Sequence, residues 1–170
     1  MGMPRKLKNM NLFNDGISYM GEIAEVQLPK LSRKLEDWRG GGMNAPVDVD
    51  LGMEKIELEW TCGGLMRQVF EQFGTTTVGG VLLRFAGSYQ RDDTADVDAV
   101  EVVIRGRHKE IDPGKAKGGD DTEFKVTSAV SYYKLTINGT VVIEIDILNM
   151  IEMVNGVDRL GEQRKAIGLA

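Results

Sequence analysis

The chain has 170 residues, of which 42% are hydrophobic and 28% are charged, a balance typical of a folded globular protein and not of a disordered or fibrous one. Its formal net charge is −5, which disfavours tight binding to the phosphate backbone of nucleic acids. A single cysteine excludes an internal disulfide, and no apolar run is long enough to cross a bilayer.

The first predicted element is a β-hairpin that follows a basic N-terminal arm of residues 1–10. Asp15-Gly16 stands between two β-prone runs, and Asn138-Gly139 stands between two others towards the C-terminus. Both dipeptides are typical of type I′ turns, in which the two central residues need positive φ. Together with 21 glycines in the chain, these turns predict a mainly β protein.

A long loop of about 36–50 is predicted next, because three successive glycines and a proline interrupt any regular element. Long excursions from a compact protein are usually functional. The central residues of this loop are therefore candidates for contact with another protein: Arg39, Gly40, Gly41, Gly42, Met43 and Asn44.

A strand and a short helix are predicted after the loop. In residues 55–62 apolar and polar side chains alternate, which is typical of a strand with one buried face. Apolar residues then recur at helical spacing between Leu65 and Phe73, and Gly74 is placed to end a helix.

Further strands are predicted over 81–89, 97–109 and 122–145, the last interrupted by the Asn138-Gly139 turn. The spacing of apolar residues in 149–156 predicts a second short helix, followed by a C-terminal arm of about 156–170. Many strands with one or two short helices and extended loops and termini predict two packed antiparallel sheets, as a sandwich or an open barrel. We expect a single domain over residues 1–170.

No residue pattern indicates an enzyme or a metal site. His108 is the only histidine, and Cys62 continues the apolar face of its strand. A buried, inert thiol is therefore favoured over a nucleophile that uses His108 as its base. The aspartates in 92–98 lack the spacing of a calcium-binding loop, so a solvated hairpin tip is favoured there. We expect no catalytic residue, no cofactor and no metal ion.

Four aromatic residues could form a stacking platform for single-stranded nucleic acid, namely Trp60, Tyr89, Tyr132 and Tyr133. The acidic net charge argues against that reading. Packing in the core or between subunits is favoured instead.

Specific residue strings also occur in a fixed order along the chain. They include Met3-Pro4-Arg5-Lys6-Leu7, Leu28-Pro29-Lys30-Leu31-Ser32, Arg39-Gly40-Gly41-Gly42-Met43-Asn44, Arg84-Phe85-Ala86-Gly87-Ser88-Tyr89, Arg105-Gly106-Arg107 and Asn155-Gly156-Val157-Asp158-Arg159-Leu160. In these strings the chain resembles the FII-type major tail tube proteins of contractile-tailed bacteriophages and the related tubes of R-type bacteriocins. It departs from the pattern mainly over Lys55–Leu65 and Phe70–Leu83.

The resemblance implies a structural virion protein and not an enzyme. Such a subunit forms stacked hexameric rings inside a contractile sheath and makes the conduit for genome delivery through the host envelope. The implied partners are further copies of the chain and the tail sheath, baseplate, tape-measure and tail terminator proteins. Double-stranded DNA would pass without specific binding, and no stable membrane anchor is expected. Assembly is expected in the bacterial cytoplasm. The alternatives are the tube of an R-type bacteriocin and a secretion-system tube or carrier protein of related fold.

If the chain has this role, one of the polar strand faces is expected to form the inner wall of the tube. Cationic contacts create strong phosphate binding, so we expect an acidic wall along which DNA slides. Glu57, Glu59 and Glu101 are the candidates for residues that face the lumen, although the sequence leaves open which polar face is the inner one. The 39–44 segment and both termini are the candidates for contact between rings or subunits.

Overall fold

The computed structural model describes residues 2–169; Met1 and Ala170, the ends of the two predicted arms, lie outside the described residues. The chain is mainly β with two short helices. The strands are β1 (Lys6–Asn14), β2 (Ile17–Ser18), β3 (Ile23–Gln27), β4 (Arg33–Trp38), β5 (Val47–Met53), β6 (Glu57–Cys62), β7 (Val81–Gln90), β8 (Val97–Asp112), β9 (Phe124–Ile137), β10 (Thr140–Asp146), β11 (Ile151–Val154) and β12 (Val157–Asp158). The helices are α1 (Arg67–Glu71) and α2 (Gly161–Ala166).

The strands form two antiparallel sheets, which confirms the predicted fold class. The large sheet has ten strands, in the order β12-β11-β10-β9-β8-β7-β1-β2, with β6 and β3 branching from β9. The branch arises because one edge of β9 has two partners: β6 pairs with its first half and β10 with its second half. The remaining two strands, β4 and β5, form a separate ribbon.

Alternate residues of the long strands point into one hydrophobic core. Val102 and Ile104 of β8 are buried there with Phe85 of β7 and Trp60 of β6, so both branches of the large sheet contribute. The alternate residues on the other side of β8 are less buried: Val103 is half-buried and Arg105 is exposed, as the two-residue period of a strand with one covered face requires. The large sheet thus has a core face and a second face, here named the polar face.

Three hairpins of the described chain turn on two successive residues with positive φ. The two predicted turns are present, with φ of 49° and 82° at Asp15-Gly16 and of 51° and 81° at Asn138-Gly139. A third, Asn155-Gly156, has φ of 53° and 76° and joins β11 to β12. The predicted helix over 149–156 is therefore wrong: Ile151–Val154 is a strand, because its backbone pairs with the edge of β10. The predicted helix after Leu65 is present as the five-residue α1.

Three segments predicted as irregular are shorter than expected. In the N-terminal arm, residues 6–10 belong to β1, because they pair with β7. The loop of about 36–50 is irregular only over 39–46, because its flanks pair as β4 and β5. The C-terminal segment contains β12 and α2. Among residues 2–169, no helix has the length and apolar character needed to cross a membrane.

Candidate assembly surfaces

In the described part of the chain, β1 and β3 of the large sheet each have an edge on which several successive residues lack a partner strand, and the two-residue strands β2 and β12 also end the sheet. One edge of β1 pairs with β7, and on its other edge β2 covers only Phe13 and Asn14. The stretch Lys6–Asn11 is therefore open on that side. β3 pairs with β6 on one edge only. These edges lie at different margins of the sheet, and unpaired backbone groups of this kind can pair with a strand of another chain.

The β4–β5 ribbon exposes apolar side chains on one face. Trp38 pairs with Val47, and two positions along the ribbon Val49 pairs with Glu36, so the side chains of Trp38, Val47 and Val49 share a face. They are 60%, 53% and 41% exposed. An isolated two-stranded ribbon is marginally stable in water, and an exposed apolar patch of this kind marks an interaction site. We name this surface the apolar ribbon face.

The opposite face of the ribbon is acidic. Asp37 pairs directly with Asp48 across the two strands, and the hydrogen bond between these side chains raises the pKa of Asp48, because two carboxylates held side by side resist ionising together. Asp50 on the same face is neutralised by Arg33, whose Nε lies 2.9 Å from Asp50 Oδ2. That hydrogen bond lowers the pKa of Asp50.

Arg33 also connects the ribbon to the body of the protein. Its Nη1 lies 2.5 Å from Glu152 Oε1 of β11, so one guanidinium binds carboxylates of both sheets. Beside this contact lies a groove of about 630 Å³, lined partly by Leu51, Ile147 and Leu160. The ion pair between Arg33 and Glu152 thus connects the ribbon to β11 beside a partly apolar groove.

The predicted contact residues 39–44 lie at the tip of this ribbon. The loop folds on itself there: Arg39 Nε donates to the Met43 carbonyl at 3.2 Å, and the Gly40 N–H donates to Met43 Sδ at 3.0 Å. The apolar side chains lie instead in the flanking strands, which sequence reasoning had assigned to the loop. The alternation Val47-Asp48-Val49-Asp50-Leu51 is the signal that could have found them.

All three predicted lumen-facing glutamates lie on the polar face of the large sheet. Glu57 and Glu59 are opposite Ala129 and Thr127 of β9, and Glu101 is opposite Thr136 of the same strand. Their arrangement on one face follows from strand alternation.

Cations lie beside two of these three glutamates on the polar face. Lys109 Nζ lies 2.9 Å from Glu57 Oε1, and this hydrogen bond lowers the pKa of Glu57. Arg84 Nη1 lies 3.4 Å from Glu101 Oε2, and the Arg84 guanidinium also stacks 4.0 Å from the centroid of the Phe13 ring. Two of the three glutamates are therefore neutralised by neighbouring cations.

His108 is part of a buried hydrogen-bond network below the helix α1. Its Nδ1 lies 2.9 Å from Ser128 Oγ, and its Nε2 lies 2.9 Å from Gln72 Oε1. The amide oxygen of Gln72 accepts, so Nε2 carries the proton and Nδ1 accepts from Ser128. Gln72 Nε2 donates in turn to Asn14 Oδ1 at 2.7 Å. Burial lowers the pKa of His108 to about 4.

The alternative pairing of Cys62 with His108 finds no support in this geometry. Both ring nitrogens of His108 are engaged with other groups. Cys62 is fully buried, and burial raises the pKa of its thiol to about 12, which makes the thiolate scarce at neutral pH.

The aspartates in 92–98 contact the N-terminal segment. Asp93 Oδ2 accepts from the Met3 N–H at 3.0 Å, Asp92 Oδ1 lies 2.9 Å from Lys8 Nζ, and Asp98 pairs with Arg5. Among residues 2–169, no group of three or more histidine, cysteine, aspartate or glutamate side chains is arranged to hold a metal ion.

Known proteins resemble the chain over almost its whole length. The family model described as phage tail tube protein FII matches residues 4–168. The tail tube protein of Escherichia phage P2 is 55% identical over 172 residues, which cover 99% of this chain and 100% of that protein. The major tail tube protein of Serratia phage KSP20 is 39% identical over 153 residues, which cover 89% of this chain and 88% of that protein.

Two solved structures share the fold at low sequence identity. The sheath/tube terminator of the PVC extracellular contractile injection system in its extended state has a TM-score of 0.57 and 9% identity, over 75% of this chain and 93% of that chain. A chain of the sheath–tube complex of the same system has a TM-score of 0.55 and 10% identity, over 75% and 88%. These two establish the fold alone. The family match and the sequence relatives confirm the resemblance found in the residue strings: the chain belongs to the phage tail tube protein FII family.

Proposed function

We propose that the chain is the major tail tube subunit of a contractile phage tail, in which six copies form a ring and the rings stack into a hollow tube. The observation that carries this proposal is the pair of open strand edges, on β1 and β3, at different margins of one sheet. When two different edges meet, the contact is heterologous, and it closes into a ring if the rotation between copies allows. Strand addition would satisfy the unpaired backbone groups.

The ribbon is suited to a second type of contact, between rings or between neighbours in a ring. Its apolar face offers Trp38, Val47 and Val49 to another copy, and burial of exposed apolar side chains is the main favourable term in association. The tip at residues 39–44 and the two terminal segments are proposed as further contact sites between rings or subunits.

The polar face is proposed to line the lumen. It carries Glu57, Glu59 and Glu101 beside basic residues, and a hydrated, charged surface suits a channel through which DNA passes. The tube would be surrounded by the tail sheath protein and completed by baseplate, tape-measure and terminator proteins. Assembly would take place in the host cytoplasm, and the role requires no catalysis and no cofactor. Both sequence relatives are phage proteins, which favours a phage over a bacteriocin or a secretion system.

Negative-stain electron microscopy of the purified chain tests this proposal. We expect rings with six-fold end views, or hollow tubes, at high protein concentration. A chain that stays monomeric even when incubated with preformed baseplates would contradict the proposal.

A matched pair of variants tests the ribbon. Val49 of the ribbon and Val141 of β10 are both 41% exposed, so Val49→Lys and Val141→Lys add the same charge at equally exposed valines. We expect V49K to lose tubes and V141K to retain them, while both variants keep the unfolding midpoint of the wild type. Equal behaviour of the two variants in assembly would contradict a role for the apolar ribbon face.

A further inference from the structure

The open edge of β1 begins with a lysine on the polar face. Lys6 is opposite Gln90 of β7, and Tyr89, the residue before Gln90, packs against the core, so strand alternation places Lys6 on the polar face. The neighbouring cations Arg5 and Lys8 each pair with an aspartate. Lys6 has no carboxylate within 4 Å in the described part of the chain. It is therefore available to a carboxylate of another chain.

The open edge of β3 carries a glutamate in acidic surroundings. Glu25 is opposite Thr61 of β6, two residues along from Glu59, so Glu25 also lies on the polar face. A groove of about 220 Å³ beside it has one lysine, Lys125, and four carboxylates in its lining. The four carboxylates are those of Glu25, Glu59, Glu110 and Asp112.

The lysines near this groove pair with other carboxylates. Lys125 Nζ lies 3.4 Å from Glu123 Oε2, and Lys109 Nζ of β8 lies 2.9 Å from Glu57 Oε1. Among residues 2–169, no cation lies within 4 Å of Glu25. A cation from another chain would therefore reduce the repulsion among the carboxylates at this margin of the sheet.

We propose that the β1 edge of one copy pairs with the β3 edge of the next copy, with Lys6 beside Glu25 across the junction. This inference rests on the proposed function, in which two different edges meet to close a ring. The open stretch of β1, Lys6–Asn11, is about as long as β3, Ile23–Gln27, so one pairing covers both. Both charged side chains are on the polar face, which then continues without a break from one copy to the next.

The charges also select which edges pair. When two β3 edges pair in antiparallel fashion about their centres, the central residues of both strands, Glu25, face each other. Like charges directly opposite destabilise a strand pair, whereas opposite charges stabilise it, and charged side chains on an edge hinder its pairing with a copy of itself. Pairing of β3 with β1 replaces this repulsion with attraction. The favoured contact is therefore heterologous, as a ring requires.

Charge reversal on each side of the junction tests the pairing. Lys6→Glu and Glu25→Lys each place like charges at every junction of a ring made from that variant alone, and the double variant K6E/E25K restores opposite charges. An equimolar mixture of the two single variants restores them as well, because every junction of a ring in which the variants alternate joins opposite charges. Recovery in the mixture shows that the contact is between chains.

Sedimentation velocity of the purified full-length chain over a concentration series measures ring formation. We expect each single variant to need a concentration about fivefold higher than the wild type. The double variant and the equimolar mixture should return to the wild-type concentration. The control Lys115→Glu makes the same charge change as Lys6→Glu in the loop 113–123 and should assemble as the wild type does.

Two results would overturn the pairing. One is assembly of both single variants at the same concentration as the Lys115→Glu control. The other is an equimolar mixture that assembles no better than its components, although both components keep the urea midpoint of the wild type. Either result, obtained with rings of the wild type, leaves the tube role in place. A wild type that forms no rings even with preformed baseplates contradicts the proposed function itself.

Discussion

The buried histidine makes the stability of the subunit depend on pH. Burial lowers the pKa of His108 from 6.5 to about 4 in the folded chain. Between these two values the unfolded chain binds a proton that the folded chain does not. Stability from this group is therefore fully present above pH 6.5 and is lost progressively as the pH falls to about 4. At about 1.4 kcal/mol for each pKa unit, the total loss is about 3 kcal/mol.

The variant His108→Gln isolates this contribution from the titration of surface carboxylates. A glutamine amide can still donate to Gln72 but does not titrate, so we expect a variant that is less stable than the wild type at pH 7. The difference in unfolding free energy between the two proteins should shrink by about 3 kcal/mol from pH 7 to pH 4.

Urea unfolding followed by tryptophan fluorescence measures this difference. The Trp60 ring lies 6.1 Å from the His108 ring and reports on the same region. The measurement is made below the concentration at which the chain assembles, since association would add its own stabilisation. A difference that stays constant between pH 7 and pH 4 would refute a neutral, desolvated His108.

Three further perturbations have defined outcomes. Gly106→Ala should lower the unfolding free energy by at least about 2 kcal/mol, because a Cβ at this position would lie 1.8 Å from the Ala129 carbonyl oxygen; an unchanged urea midpoint would contradict this. Arg33→Gln should reduce tube formation in electron microscopy without unfolding the chain, because it removes the contacts to Asp50 and Glu152; wild-type tube yield would argue against a positioning role. Cys62 should react with a thiol reagent at pH 8 only after unfolding, because the folded thiol is buried and its pKa is about 12; rapid labelling of the folded chain would disprove that burial.

The sequence predicted the strands and turns best where the pattern has a single physical reading. Asp15-Gly16 and Asn138-Gly139 identified two hairpins because few other residue pairs adopt positive φ twice in succession. The spacing of apolar residues in 149–156 fitted a helix as well as a strand. The segment is a strand because its backbone hydrogen-bonds to the open edge of β10. A tertiary pairing of this kind is not visible in the local spacing of apolar residues.

The candidate surfaces were predictable to a smaller extent. Strand alternation placed Glu57, Glu59 and Glu101 on one kind of face, and the structure brings them to the same face. The ion pairs of Glu57 with Lys109 and of Glu101 with Arg84 depend on which strands are neighbours, and strand order cannot be read from local periodicity. The lumen assignment and the contact role of 39–44 remain predictions.

The pairing of β8 with β9 affects how the subunit responds to mechanical force. These two strands form the longest ladder of the fold, and β9 is also bonded on its other edge by β6 and then β10. The hydrogen bonds of an antiparallel ladder run perpendicular to the strands, so a pull along β9 loads them all in shear at once instead of one after another. We expect the subunit to be stiff along this direction. A tube in which β9 runs parallel to the tube axis would therefore transmit a sudden force from one end to the other with little deformation of its subunits.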